Sequence, residues 1–154
     1  MIKIIIDLDV VTVAKWDKGV HGNESRNFMV RVEDNEFCLI TPTLLIELVK
    51  RWKHEHLKTQ IVEFYLKNSK ELVERISIIG EIISKDINFE KLFNRFVNIG
   101  IKEEDITLIL VSSLREALLI TFNRIHLKNK EGKINEILSE YGIKTIRIIS
   151  PGQI

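Results

Sequence analysis

The chain has 154 residues, the usual size of one compact domain, and no linker or repeat divides it, so we expect a single domain over residues 1–154. Apolar residues make up 45% and charged residues 29%, a balance that excludes long intrinsic disorder, collagen and a disulfide scaffold. Lys and Arg total 23 against 22 for Asp and Glu, so any binding of nucleic acid would depend on a local basic patch.

The sequence predicts neither a membrane segment nor a secretory signal. No apolar run approaches the ~18 residues of a membrane-spanning helix, and Lys3, Asp7 and Asp9 interrupt the opening apolar stretch. The single cysteine, Cys38, cannot form an internal disulfide. A reducing cytoplasm is therefore the expected location.

Apolar runs rich in β-branched residues predict strands, and the 3.6-residue patterns between them predict helices. In chain order, strands are expected at residues 2–6, 28–32, 36–40, 117–121 and 145–149. Helices are expected at residues 41–58, continuing with or without a break towards residue 76, and at residues 89–97, 102–114 and 132–141. The polar, glycine-containing residues 16–27 indicate a loop.

The order of these elements predicts a fold class. The runs on either side of Glu33–Asn35 predict a β-hairpin insertion after the first strand. Thr41 and Pro42 are residue types that cap and begin a helix. Elsewhere strands alternate with helices, which predicts a three-layer α/β/α domain with a central parallel sheet of four to five strands. Ligands of such sheets lie beyond the carboxyl ends of the strands, where the strand order reverses.

Polar residues follow two of the predicted strands at that place. Asp7 and Asp9 come directly after the first strand, and Thr121 and Asn123 come at the end of the strand at 117–121. Hard divalent cations prefer oxygen ligands of this kind, and two such ions ~4 Å apart are the standard device for cleaving phosphodiesters. The alternatives are an acid that only ends a strand and an Asn that only serves a turn.

Two acids on predicted helices are further candidates. Glu47 lies at the rim of the apolar stripe of its helix, where a solvated surface acid is the plain alternative. Asp105 shares a helix face with Ser112 and is therefore directed at the protein interior. With Glu103 and Glu104 it also makes an acidic first turn, which suits the helix dipole without any function.

Taken together, these motifs resemble the PIN-domain family of metal-dependent ribonucleases, which includes the VapC-type toxins of toxin–antitoxin pairs. The matching segments, in the family's order, are IIIDLDV with Asp7, TPTLLIELVK with Glu47, GIKEEDITLILVSSL with Asp105 and ALLITFNRIHL with Asn123. The resemblance covers nearly the whole chain. It departs at Asn123, where the family often has Asp, and at Asp9, where the family often has Asn.

The resemblance implies an endoribonuclease that depends on Mg²⁺ or Mn²⁺ and cleaves RNA phosphodiester bonds. The metal ligands that it implies are Asp7, Glu47 and Asp105, with Asp9 as an extra ligand. Asn123 would join the catalytic set, although an amide brings no charge and is expected to attenuate activity, and Thr121 would support the site. The resemblance also implies a homodimer and an antitoxin-like protein as a partner.

Two basic stretches border these motifs. Contacts with the RNA backbone are expected from Lys50, Arg51, Lys53, Arg124 and Lys128, with a solvated surface as the alternative. His54 and His56, two residues apart on the expected helix, should point away from each other and so cannot share a metal ion.

Two other functions stay open at this point. One is a PIN-fold module that binds RNA or a protein but cleaves weakly, an alternative that Asn123 favours. The other is a phosphatase similar to the haloacid dehalogenases, because DLDVV resembles their Asp-x-Asp motif and ALLIT their strand that ends in Thr. That family also needs a downstream acidic pair, and the acids after Thr121 are Glu131, Glu136 and Glu140.

Overall fold

The computed structural model describes all 154 residues as five strands and eight α-helices. The strands are β1 (Lys3–Ile6), β2 (Cys38–Pro42), β3 (Ser69–Val73), β4 (Leu118–Ile120) and β5 (Ile148–Ile149). The helices are α1 (Leu8–Trp16), α2 (Val20–Glu33), α3 (Thr43–Lys50), α4 (Glu55–Asn68), α5 (Arg75–Ser84), α6 (Phe89–Asn98), α7 (Glu103–Arg115) and α8 (Glu131–Glu140). None of these helices is both long and apolar enough to cross a membrane.

The five strands form one parallel sheet in the order β3-β2-β1-β4-β5. The central strand β1 pairs with β2 through Ile4 and Leu39, and with β4 through Ile6 and Ile120. The chain first builds outward through β2 and β3 and then returns to the other side of β1. The strand order therefore reverses between β1 and β4, and the carboxyl ends of these two strands border the crevice in which such sheets bind ligands.

Helices cover the sheet and complete the predicted three-layer α/β/α architecture. A single cluster of 41 buried apolar residues forms the core. Ile4, Ile5 and Ile6 are fully buried, as expected for a strand with helices on both faces. Helix α7 is buried almost all round, from Asp105 to Ser113, and contacts β1, β2 and β4.

The predicted loop at 16–27 and the predicted hairpin are both wrong. Residues 20–33 form α2, and residues 38–42 form a strand that runs parallel to β1. The loop prediction failed because side-chain contacts order the glycine-containing segment: Asp17 accepts hydrogen bonds from the backbone N–H groups of Gly19 and Gly22. Two parallel neighbouring strands need a crossover, and α1 with α2 provides it.

The predicted helix start at Thr41 and Pro42 is also wrong. Both residues end β2, and the Thr41 hydroxyl shares a 2.6 Å hydrogen bond with the Ser69 hydroxyl on β3. Strand β3, which the sequence analysis missed, lies at the sheet edge and is largely exposed, so it lacks an apolar run. The long helix expected here is two helices, because His54 caps a new one by accepting the Leu57 N–H at 3.1 Å.

The predictions for the last third are confirmed. Helices α6, α7 and α8 and strand β4 occur within one residue of the expected bounds, and β5 covers the last two residues of the strand expected at 145–149. Gly100 and Gly142 follow helix ends with φ angles of 85° and 70°, a left-handed conformation in which glycine costs least.

Candidate functional site

The candidate site lies at the carboxyl ends of β1 and β4. The backbone N–H of Asp7, just after β1, donates to the Ile120 carbonyl at 2.9 Å. Thr121, just after β4, is fully buried and donates its own N–H to the Ile149 carbonyl at 2.9 Å. These bonds extend the sheet by one residue and hold the side chains of Asp7 and Thr121 side by side.

Asp7 is both the end of β1 and the N-cap of α1. One carboxylate oxygen, Oδ1, accepts the Leu8 N–H at 2.8 Å, and the other, Oδ2, accepts the Thr121 hydroxyl at 2.9 Å. Because α1 begins at once, Asp9 falls in its first turn and its side chain turns back towards the same hydroxyl. A helix N-terminus stabilises negative charge, which favours carboxylates at both positions.

Asp9 completes an acid pair with Asp7. Its Oδ2 accepts the Phe122 N–H at 3.0 Å and lies 3.2 Å from the Thr121 hydroxyl oxygen. That hydroxyl has one proton to donate and already accepts the Asn123 N–H at 3.0 Å. Two carboxylates therefore compete for one proton donor.

The electrostatics of this pair follow from its burial. Burial is the main cause that raises the pKa of Asp9 to about 7, and the charge of Asp7 is the second. The hydrogen bonds from Phe122 and Thr121 act in the opposite direction and lower this pKa. Burial also raises the pKa of Asp7, although Thr121 and the Leu8 N–H lower it. Neither carboxylate forms an ion pair. The pair thus carries more negative charge than its surroundings compensate.

Asp105 joins this region from the first turn of α7. The residue is 9% exposed, and burial raises its pKa to about 6. The charges of Asp7 and Glu104 contribute to this rise in the pKa, while Lys102 opposes it. Asp7 is thus among the charged groups that act on Asp105. The assignment of Asp105 as a metal ligand stays a prediction.

Glu47 lies in an adjacent cleft. It is exposed on α3 and lines a cavity of about 670 Å³ that faces the first turn of α7. Across that cavity Arg75 forms a 2.6 Å ion pair with Glu103, and Arg51 lies on the same side as Glu47. No group of three or more His, Cys, Asp or Glu side chains is arranged to hold a metal ion. The assignment of Glu47 as a metal ligand stays a prediction.

Asn123 serves the turn after β4. Its side-chain oxygen accepts the His126 N–H at 3.0 Å, which is the turn role that the sequence analysis kept as the alternative. Of the residues predicted to contact RNA, Lys50, Arg51, Lys53 and Arg124 are exposed, whereas Lys128 donates to the Gln153 side chain at 2.5 Å. Their contacts with RNA stay a prediction.

Tyr65 supports the site, and the sequence analysis missed it. Its ring on α4 is fully buried, and its hydroxyl donates to the Ile6 carbonyl at 2.7 Å, next to Asp7. Burial, and next the charges of Asp7 and Asp9, raise its pKa well above the usual value. The one available signal was a tyrosine in an apolar helix stripe, because a buried hydroxyl needs a hydrogen-bond partner.

A divalent cation fits the donor set of Asp7 and Asp9. Mg²⁺ is commonly held by one or two carboxylates with water completing its shell. Here two half-buried carboxylates converge on one hydroxyl and have no cationic side chain as a partner. A cation would supply the missing charge, and Asp105 would add a third negative charge nearby.

Comparison with known proteins supports the fold. No family model matches the sequence, and no curated protein matches it either. Among solved structures, the chain is similar to one in VapBC2 from Rickettsia felis, crystallised with a DNA fragment from their promoter. The match covers 97% of this chain and 98% of that chain, with a TM-score of 0.51 and 11% identity. This chain therefore has a PIN-like three-layer fold.

Proposed function

We propose that this chain is a divalent-metal-dependent endoribonuclease that cleaves RNA phosphodiester bonds. The observation that carries the proposal is the Asp7–Asp9 pair at the switch point of a PIN-like sheet, where two carboxylates share one hydroxyl and lack a cationic partner. Asp7 and Asp9 would hold Mg²⁺ or Mn²⁺, with Asp105 and Glu47 as the further ligands that the family resemblance implies. The likeness to a VapBC2 chain agrees with this class of activity.

The protein's own groups have clear tasks in this proposal. Thr121 fixes the relative position of the two carboxylates, and the first turn of α1 holds both near its N-terminus. A bound divalent cation would lower the pKa of a water molecule and neutralise charge on the phosphate. The pKa of Asp105, about 6, lies closer to neutrality than that of an ordinary carboxyl group. Asp105 could therefore accept the proton that such a water molecule loses.

The test is cleavage of a mixed RNA sample with Mn²⁺, with Mg²⁺ and with a chelator. We expect cleavage only with a divalent ion, and a fall of roughly 100-fold or more in Asp7→Asn because the variant loses a charged ligand. Asp86→Asn is the matched control: Asp86 is exposed, and its φ of 61° suits Asn. Equal cleavage by Asp7→Asn and the parent would refute the proposal.

A second candidate is a PIN-fold module that binds RNA or protein but cleaves weakly. The observation in its favour is the Asn123 side chain, whose oxygen is engaged with the His126 N–H. Asn123→Asp could keep that bond and would add a charge. If the chain is an attenuated enzyme, the substitution should raise both Mn²⁺ affinity and cleavage. If it is a binding module, RNA binding should persist throughout and cleavage should appear only in Asn123→Asp.

The phosphatase alternative loses support from the acids that follow Thr121. The Glu131 carboxylate accepts the Ile148 N–H at 2.7 Å, and Glu140 is paired with Arg95.

For partners, the proposal includes a homodimer and an antitoxin-like protein; the similar VapBC2 structure is that of a complex.

A further inference from the structure

Trp16 is a large aromatic residue that the fold leaves exposed to solvent. It is the last residue of α1, and 57% of its surface is exposed. The other tryptophan, Trp52, is half-buried against the core. More than half of this residue is therefore open to contact with a ligand.

A small cavity lies against the ring. Its volume is about 230 Å³, and its lining residues are Lys15, Trp16, His54, His56, Leu57 and Gln60. Pockets for drug-sized ligands hold about 300–1,000 Å³, so this cavity suits one small planar group rather than a whole cofactor. The lining has one lysine and two histidines but no carboxylate, which favours an anionic or electron-rich ligand.

The cavity is formed by side chains that are held in place. His54 Nδ1 accepts the Leu57 N–H, so the neutral ring carries its proton on Nε2. The His54 ring meets the Trp16 ring edge-on, with 5.6 Å between their centroids. His56 Nε2 lies 3.0 Å from Gln60 Nε2. The two histidines therefore line one cavity. His54 lies outside the helix as its cap, so the helical spacing behind the prediction that they point apart does not apply to this pair.

The acids next to the cavity are already engaged. Asp17 holds the backbone N–H groups of Gly19 and Gly22, and Glu55 forms a 2.8 Å ion pair with Lys58. Lys15 forms no ion pair. Lys15 therefore presents an unpaired positive charge close to an open aromatic ring. Proteins bind single-stranded nucleic acid with this combination, in which bases stack on the ring and cations meet phosphates.

The cavity is aligned with the acid pair along α1. Asp9 and Trp16 are seven residues apart, which places them on the same helix face. At ~1.5 Å per residue, the separation along the axis is about 10 Å. A stacked strand rises ~3.4 Å per nucleotide, so about three nucleotides would span that distance.

We propose that Trp16 is a stacking platform for one base of a single-stranded RNA substrate, about three nucleotides from the bond that is cleaved. Lys15 would meet a neighbouring phosphate, and the His54 Nε2–H would donate to the edge of the base. This inference rests on the proposed nuclease function, because it places the substrate along α1.

The test measures binding of a fluorescein-labelled oligoadenylate in chelator, where cleavage is blocked. Trp16→Ala should weaken binding roughly 5- to 150-fold, the range for losing one base–aromatic stack. Trp16→Phe keeps a ring and should stay within a few-fold of the parent. Ile83→Ala, which removes a comparably exposed apolar side chain from α5, should bind like the parent. Alanine favours helices, so Trp16→Ala should fold.

A second measurement keeps the fold intact. In Trp52→Phe, Trp16 is the remaining tryptophan, and the oligonucleotide should quench its fluorescence with the same midpoint as binding. Absent quenching, or equal binding by Trp16→Ala and the parent, would overturn the inference. So would a dimer that dissociates in Trp16→Ala while RNA binding is unchanged, because a second copy would then cover the ring.

These outcomes separate the two proposals. If the parent cleaves RNA with Mn²⁺ but Trp16→Ala binds normally, the stacking inference fails and the nuclease stands. If binding depends on Trp16 but no divalent ion supports cleavage by the parent, the nuclease proposal fails and the RNA platform stands.

Discussion

Two groups of carboxylates in this molecule have opposite surroundings. At the end of α7, Arg115 donates to Glu71 at 3.0 Å and to Glu81 at 2.8 Å, joining β3 and α5 to that helix. At the switch point, Asp7 and Asp9 share one hydroxyl and have no cation. In the Arg115 cluster the two carboxylates are half-exposed and both pair with one guanidinium, whereas the acid pair is more enclosed and has no cationic partner.

The difference separates structural charge from functional charge. A desolvated carboxylate without a positive partner lowers stability, because burial disfavours its charged form. The Arg115 cluster avoids this cost through its ion pairs. The acid pair does not avoid this cost within the protein. Such an arrangement is expected where a bound ligand supplies the positive charge.

Manganese should stabilise the acid pair and leave the Arg115 cluster unaffected. At a Mn²⁺ concentration of about 100 Kd, the free energy of unfolding of the parent should rise by about 2.7 kcal/mol. Asp9→Asn should lose most of that gain, and Glu81→Gln should keep it. The measurement is urea unfolding with and without Mn²⁺. An equal gain in Asp9→Asn would place the metal elsewhere.

Without metal, Asp9→Asn should stabilise the protein at pH 8. The substitution removes a charge that burial and Asp7 disfavour while keeping an oxygen for the Phe122 N–H. We expect a gain on the order of 2 kcal/mol in the free energy of unfolding, from the pKa of about 7 and allowing for partial exposure. Thermal unfolding in chelator measures it. A loss of stability would mean that the charge is compensated.

The acid pair should also reverse the usual pH dependence. The folded pKa of Asp9, about 7, lies above its ordinary value of 3.8, so the folded state binds more protons between them. Its contribution to stability is therefore complete below about pH 4 and is lost as the pH rises through 7, at up to ~1.4 kcal/mol per pH unit. The stability difference between the parent and Asp9→Asn, followed from pH 4 to 8 in chelator, should show this fall.

The smallest effect is expected at the Arg115 cluster. Glu81→Gln removes one charge from a half-exposed ion pair, and Glu71 remains bonded to the arginine. The free energy of unfolding should fall by less than ~1 kcal/mol, with no change in Mn²⁺ binding or RNA cleavage. Urea unfolding and the cleavage assay check both. A larger loss would mean that this cluster, too, is strongly desolvated.

The local sequence pattern was sufficient to predict much of the fold and part of the candidate site. The β-branched run at residues 2–6 and the apolar α7 identify the buried centre of the sheet from composition alone, because such runs are stable only when covered. Asp7 and Thr121 follow parallel strands, and parallel strands end at one edge. The sequence therefore predicted that they lie together, and they do.

Contacts between distant residues decided the rest. Most of the segment at 16–27 is helical, and Asp17 and Arg26 order its backbone through hydrogen bonds that no periodicity reveals. Strand β3 exists because β2 lies beside it, and His54 faces Trp16 because a helix begins after it. The tertiary structure likewise brings Asp7 and Asp9 to the same Thr121 hydroxyl. Sequence determines which groups are present and in what order, but which of them compete for one proton depends on distances set only by packing.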